Sequence, residues 1–307
     1  MKILVTGGTV FVSKYVAEFF ADNGNEVYVL NRNTRPQLKN VTPIICDRSD
    51  IGGKLNGIHF DTVIDVTAYT AQDVNILLDS LHSFDNYILI SSSAVYPETL
   101  KLPFKESDET GKNKFWGDYG LNKIAAEKAL LKRVKNAYII RPPYLYGGYN
   151  NVYREAFVFD CAERDVPFYL PKDGSMPLQF FHVLDLCLII DNLLRVRPNY
   201  NILNVGNAPV TVKEWVELCY SAVGKEPKFI NVYADVEQRN YFPFYDYGYV
   251  LDTTRQNTLL SKGPYMELIP FPLHYGLNSA YNWYRLHKEQ VIKKDYFGFI
   301  EKNLRTE

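Results

Sequence analysis

Ser92, Tyr119 and Lys123 are the residues whose types and spacing could do chemistry, namely moving a proton on and off a substrate hydroxyl. Tyr119 and Lys123 stand four apart in a stretch where Ile124, Ala125, Ala129, Leu130 and Val134 recur at helical spacing, so both project from one helical face. A phenol titrates near pH 10, and bringing it to neutrality takes about 4 kcal/mol of preferential stabilisation of the phenolate. A neighbouring ammonium supplies part of that. A serine hydroxyl can then hold the substrate oxygen while Tyr119 removes or returns its proton. Ser91-Ser92-Ser93 ends an apolar run over 86–91, and side chains at the carboxyl end of a parallel strand face a ligand crevice. The plainer reading of such serines is that each satisfies its own turn.

The elements that must position these groups begin with residues 1–32. Lys2-Ile3-Leu4-Val5 reads as a short buried strand, broken by Thr6-Gly7-Gly8-Thr9. From Phe11 to Asp22 the apolar residues take helical spacing, Asn23-Gly24 is a left-handed stop, and 26–30 is a second strand. This strand, turn, helix and strand aim the N–H groups of a helix start at the place where a dinucleotide pyrophosphate would lie, so Gly7, Gly8, Thr9, Val10 and Phe11 are candidate cofactor contacts. The glycine fingerprint is incomplete, because Val10 and Ser13 stand where two further glycines are expected, and Val10 crowds the pyrophosphate side. At the end of the second strand Asn31-Arg32-Asn33-Thr34-Arg35 offers no carboxylate for the ribose hydroxyls of NAD. Asn31, Arg32 and Arg35 lean instead toward the extra phosphate of NADP. Further strands over 43–46 and 62–66 bring Asp47 and Arg48 toward the adenine, and the small Thr67 and Ala68 leave room for a cofactor to cross. Strands alternating with helices predict an α/β fold with a doubly wound parallel (Rossmann) sheet.

Composition narrows the function classes. A chain of 307 residues, 47% hydrophobic, can bury a full core, and no apolar run is long enough to span a membrane, which favours the cytoplasm. A formal net charge of −1 argues against nucleic-acid binding through phosphate neutralisation. The four cysteines, Cys46, Cys161, Cys187 and Cys219, lack metal-ligand or redox spacing and read as buried free thiols, so no metal is expected.

In its order of motifs the chain resembles the extended short-chain dehydrogenase/reductases, the NAD-dependent epimerase/dehydratase family. The matching stretches are Thr6-Gly7-Gly8-Thr9-Val10-Phe11, Ser91-Ser92-Ser93-Ala94-Val95-Tyr96, Tyr119-Gly120-Leu121-Asn122-Lys123, Arg141-Pro142-Pro143-Tyr144-Leu145-Tyr146-Gly147, Gln179-Phe180-Phe181-His182-Val183-Leu184-Asp185 and Asn204-Val205-Gly206. The resemblance implies Ser92 as the catalytic hydroxyl, with Ser93 close behind it. Tyr119 would be the base, Lys123 the ribose-binding lysine, and Pro142 a neighbour of the nicotinamide. Asn150 or Asn151, Gln179 and Arg239 would reach the substrate, with Arg255 a second candidate phosphate clamp. The implied organisation is a dinucleotide-binding domain over 1–165, its sheet completed by 179–222, and a smaller substrate lobe from 166–178 and 223–307. The implied assembly is a homodimer.

Two departures shape the expected activity. The Asp-Glu pair of the family's dehydratases is replaced by Ser93-Ala94, which discounts dehydration. Leu178 stands where many nucleotide-sugar enzymes of the family carry an arginine, and His182 reads as a structural hydrogen-bonder. The leading expectation is an NAD(P)-dependent epimerase or reductase of a hydroxyl-bearing, sugar-like small molecule. The alternative is a non-catalytic RNA- or protein-binding module on the same fold, suggested by the altered glycine turn.

Overall fold

The apolar runs expected as buried strands line up side by side in the computed structural model of the chain, which describes residues 1–305. Strands β1 (Lys2–Thr6), β2 (Glu26–Asn31), β3 (Thr42–Ile45), β4 (His59–Asp65), β5 (Ser83–Ile90), β6 (Tyr138–Arg141) and β7 (Ile202–Asn204) form one sheet. Its order is β7-β6-β5-β4-β1-β2-β3, and every neighbouring pair is parallel. The chain runs outward from β1 in both directions, so a crevice opens at the carboxyl ends of β1 and β4. Helices cover both faces. On one, α1 (Phe11–Asp22) buries Val16, Ala17 and Phe20 against Ile3, Val5 and Val29. On the other, α2 (Ala71–Ser80) and α3 (Gly117–Arg133) bury Val74, Leu77, Ala126 and Leu130 against Leu4, Val63 and Leu89.

A second, strongly aromatic core lies beyond β6. It is built from α4 (Glu155–Glu163), α6 (Val212–Val223), α8 (Leu273–Leu286) and the strand pair Phe168–Pro171 and Phe229–Val232. Its centre is Trp215, stacked on Phe180 at 5.5 Å and edge-on to Phe244 at 5.1 Å. The segments 1–165 and 179–222, expected to serve the sheet, contain α4 and α6, yet Phe157, Phe159, Trp215 and Cys219 from these helices pack in the aromatic core. Between them α5 (Val183–Val196) returns to the sheet and packs with α1. The stretch 225–272 holds, besides the strand Phe229–Val232, one further α-helix, α7 (Thr254–Leu260), too short for periodicity to reveal.

Helix α6 ends at Gly224, at φ +78°, and opens with a Thr211–Glu214 capping box. All four cysteines are buried free thiols. Among the described residues no helix is long and apolar enough to cross a membrane.

The contact that brings the serine turn to the tyrosine helix runs through Gly120. A Cβ built there would lie 2.4 Å from the backbone oxygen of Ala94. In an exposed helix glycine to alanine gains about 1 kcal/mol. Here overpacking against rigid backbone outweighs that gain, and Gly120→Ala is expected to destabilise the protein by about 1–3 kcal/mol in urea unfolding. A variant as stable as the parent would show that the turn and helix are not held in contact.

Candidate functional site

The glycine turn is built around Ser13 rather than a third glycine. Gly7 (φ +95°) and Gly8 (φ +85°) occupy the left-handed region, and a Cβ on Gly7 would meet the Ser13 Oγ at 2.6 Å. Ser13 Oγ donates to the Val10 carbonyl at 2.9 Å. Val10 itself sits in extended backbone at φ −137°, which any residue adopts, so its lack of glycine costs nothing in conformation. No side chain caps α1, so its first N–H groups face the crevice without a side-chain partner. An anion-binding cradle that a Cβ would fill, opening an uncapped helix, fits a dinucleotide pyrophosphate.

At the other end of the crevice Ser92, Ser93, Tyr119 and Lys123 line one cleft of about 770 Å³, together with Val10, Phe11, Thr67 and Pro142. Ser92 N-caps a short turn over Ser93–Val95, its Oγ accepting from the Ala94 N–H at 3.1 Å. Tyr119 keeps 40% of its surface exposed to the open cleft, while its phenol end is crowded by the walls. Burial raises its pKa above the usual tyrosine value, and the Ser92 hydroxyl, as hydrogen-bond partner, opposes that rise. Lys123 is fully enclosed. Its Nζ donates to the Ala68 carbonyl at 2.8 Å and the Ile90 carbonyl at 2.9 Å, and lies 5.0 Å from the Tyr69 ring centroid. Two of its three N–H donors are thus committed within the described residues, leaving one for the cleft. Burial pushes the ammonium down to about 8, against the pull of Asp65 and Glu127.

Those two carboxylates belong to buried networks behind the site. Asp65 accepts from both Arg48 Nη atoms at 2.7 and 2.6 Å, from Thr6 Oγ1 at 2.8 Å and from Tyr87 at 2.6 Å. Burial favours a protonated Asp65, but these partners outweigh it and hold the carboxyl below its ordinary range. Glu127 accepts from Arg141 Nε at 3.0 Å and Nη2 at 2.5 Å and from the Ser91 hydroxyl, while Arg141 Nη1 reaches Tyr96 at 2.8 Å. Of the three serines, Ser91 is the one bonded into this ion-pair network.

Several expected contacts lie elsewhere. Arg48 is consumed by Asp65 and by the Asp73 carbonyl, and Asp47 is an exposed turn residue whose carboxylate accepts from Ser49. Asn150 is buried and bonds Glu155 at 2.7 Å, so of the two asparagines Asn151 lines the cleft. Gln179 is buried too, bonding the backbone of Asn207 and Leu251 rather than facing a substrate. Arg255 donates to the Ile202 carbonyl and stacks on Tyr200, outside the cleft. The Asn31 amide donates to the Gly7 carbonyl and exchanges bonds with Gln37, which locks the turn, while Arg32 and Arg35 are exposed. His182 caps α5 through Nδ1, and burial lowers its pKa to about 4, so it is a neutral structural residue.

Sequence reasoning missed much of the lobe wall. Beside Arg239, it carries Arg154 and Lys294, with Trp116, Tyr144, Tyr245 and Tyr249. Tyr249 accepts from Ser93 Oγ at 2.9 Å across the cleft. The lining holds four cations, Lys123, Arg154, Arg239 and Lys294, and no carboxylate among the described residues. Of these residues only Arg239 was expected from the sequence.

A parallel sheet of this order, a glycine turn opening an uncapped helix, and Ser92, Tyr119 and Lys123 on one cleft define a Rossmann-type dinucleotide site. Residues 3–206 match the model of the NAD dependent epimerase/dehydratase family, and the chain belongs to that family. It is 26% identical to the chloroplast stem-loop binding protein of 41 kDa b of Arabidopsis thaliana, across 92% of this chain and 78% of that one. It is also 26% identical to a dTDP-4-dehydro-6-deoxy-D-allose reductase of Streptomyces sp, across 93% of this chain and 97% of the relative. The Bordetella bronchiseptica enzyme WbmG, solved in complex with NAD, shares the fold with a TM-score of 0.74 at 15% identity, covering 94% of each chain.

The lysine gives a pH signature. Its folded value near 8 lies below the unfolded value near 10.4, so the folded protein releases this proton first. Stability contributed by the group then rises as pH climbs from about 8 to about 10.4. Thermal unfolding of the wild type against Lys123→Met should show this rise in the difference between the two. A difference independent of pH would mean the ammonium is not desolvated.

Proposed function

We propose that the protein is an NAD(P)-dependent epimerase or reductase of a nucleotide-linked sugar, with Ser92, Tyr119 and Lys123 as its catalytic residues. The observation that carries this reading is the cleft lining. Proton-transfer groups on the sheet side face Arg154, Arg239 and Lys294 on the lobe side with no carboxylate among the described lining residues, as a substrate joined through phosphates requires. Gly7, Gly8, Val10 and Phe11 would hold the dinucleotide pyrophosphate, and Thr67, Lys123 and Pro142 its nicotinamide end. When bound, the cofactor supplies the hydride acceptor and donor. Ser92 orients the substrate oxygen by hydrogen bond, and Tyr119 takes or returns its proton. Lys123 lends positive charge to that phenol, whose pKa is raised first by burial and further by Tyr69.

The end of β2 supports NADP. Asn31 is turned inward to Gly7 and Gln37, the segment 31–35 itself carries no carboxylate, and Arg32 and Arg35 are exposed there. Fluorescence titration should find NADPH bound about tenfold more tightly than NADH, and Arg32→Ala should remove most of that preference. Equal affinities in the wild type would exclude the 2′-phosphate contact.

Tyr119→Phe should lower turnover of a nucleotide sugar by at least about 100-fold while leaving cofactor affinity nearly unchanged. Retained turnover would remove Tyr119 from the base role. Similarity to the stem-loop binding protein over 92% of the chain motivates a second reading, an RNA-binding module. Salt-sensitive retention of a stem-loop RNA by protein that binds neither NADH nor NADPH would favour it over the enzyme.

A further inference from the structure

The end of β4 and the loop after it meet Lys123 three times. Asp65 pulls on its charge, the Ala68 carbonyl accepts from Nζ at 2.8 Å, and the ring of Tyr69 lies beside Nζ with its centroid 5.0 Å away. The first two are buried. Tyr69 instead keeps 54% of its surface exposed and lines the cleft, so core packing does not account for where its ring lies.

The backbone that carries the ring is fixed. The Tyr69 N–H donates to Asp73 Oδ2 at 2.9 Å, the carboxylate that also closes the Thr70 capping box of α2, and the Asp73 carbonyl accepts from Arg48 at 2.9 Å. The ring neighbours Tyr119 as well, centroid to centroid at 6.3 Å and tilted by 53°. It therefore spans the proposed base and the lysine, which stand about one turn apart on α3.

The surroundings of the ammonium are asymmetric. Two of its N–H groups are taken by the Ala68 and Ile90 carbonyls. The charged groups that act on it are Asp65 on β4, Glu127 one turn further along α3, Arg48 from the loop after β3 and Asp73 on α2, and each of them stands outside the cleft lining. Among the described residues the lining brings no carboxylate, and its other cations, Arg154, Arg239 and Lys294, belong to the lobe wall. On the cleft side the titratable groups beside the ammonium are the phenols of Tyr69 and Tyr119, and it is the Tyr69 ring that the ammonium lies over. An aromatic face carries the negative part of the ring quadrupole and attracts a cation within about 6 Å, most strongly where water is excluded.

Resting on the reading above, in which the charge of Lys123 supports Tyr119 as base, we propose that Tyr69 is a positioning residue for that charge: its ring face stabilises the ammonium from the open side of the cleft. A carboxylate in that place would hold the cation too, but it would repel an incoming phosphate. The ring does so without adding negative charge to a cleft lined by cations.

The test follows the 13Cε resonance of Lys123 against pH in the full-length chain labelled with [13C]lysine, without added nucleotide, the signal being assigned by its absence from Lys123→Met. Wild type should titrate near pH 8. Tyr69→Leu keeps apolar bulk beside the ammonium but has no ring face, and its midpoint should fall by about half to one pH unit. Tyr69→Phe keeps the ring and should restore the wild-type midpoint. An unchanged midpoint in Tyr69→Leu would overturn the proposal, and so would a rise, which would make the ring a plug against water. An equal fall in Tyr69→Phe would trace the effect to the hydroxyl and overturn it too. The expected midpoints in a protein that turns over no nucleotide sugar would support the role of the ring and overturn the reading it rests on.

Discussion

Everything at the site depends on an ammonium held without water at the carboxyl end of the sheet. Burying a lysine charge is expensive, and the protein meets the cost with backbone carbonyls of Ala68 and Ile90 and the field of two carboxylates, Asp65 and Glu127. Each carboxylate is paired with its own arginine. Arg48 is drawn in from the loop after β3, and Arg141 from the end of β6, to pair with Asp65 and Glu127. The two ion pairs flank Lys123 and bind strands that are distant in sequence, β1, β4 and β5 on one side and β5 and β6 on the other. The same bonds that keep the lysine charged thus fix the mutual positions of the strand ends from which Ser92 and Thr67 project.

The sheet was legible because its signal is local. Runs such as Ile3-Leu4-Val5, bounded by glycines, and a helix with an apolar stripe specify strand and helix without reference to anything far away. The incomplete fingerprint misled only in part. Counting glycines suggested a crowded turn, whereas Val10 needs no unusual backbone angle and Ser13 fills the space beside Gly7 while bonding back to Val10. The second core was less legible, because α4, α6 and α8 bury aromatic residues against one another from segments far apart in the chain.

Within the site, residue type predicted position for Ser92, Tyr119 and Lys123, whose order along the chain follows the order of the strands. It failed for Arg48, Asn150 and Gln179, each a polar residue beside a motif. Their partners, Asp65, Glu155 and the Asn207 and Leu251 backbone, are set by tertiary packing. A buried polar side chain looks the same in a sequence whether it serves the fold or a ligand.

The cleft lies between the sheet core and the aromatic core, which are joined by a smaller cluster of Val95, Tyr96, Phe104, Ile124, Tyr249 and Leu251. Ser93 bonded to Tyr249 fixes one end. Tyr149, donating to Glu18 with Lys14 over its ring at 4.0 Å, ties the loop after β6 to the helix that opens at the glycine turn. Such joints are stiff enough to preserve alignment, yet each is a single side-chain contact worth about 1 kcal/mol, small enough for substrate binding to adjust. The chemistry of the lobe can therefore diverge while the sheet side stays constant. Leu178 is part of the aromatic core, and the cations of the lobe wall come from Arg154 just before α4, from Arg239 and from Lys294.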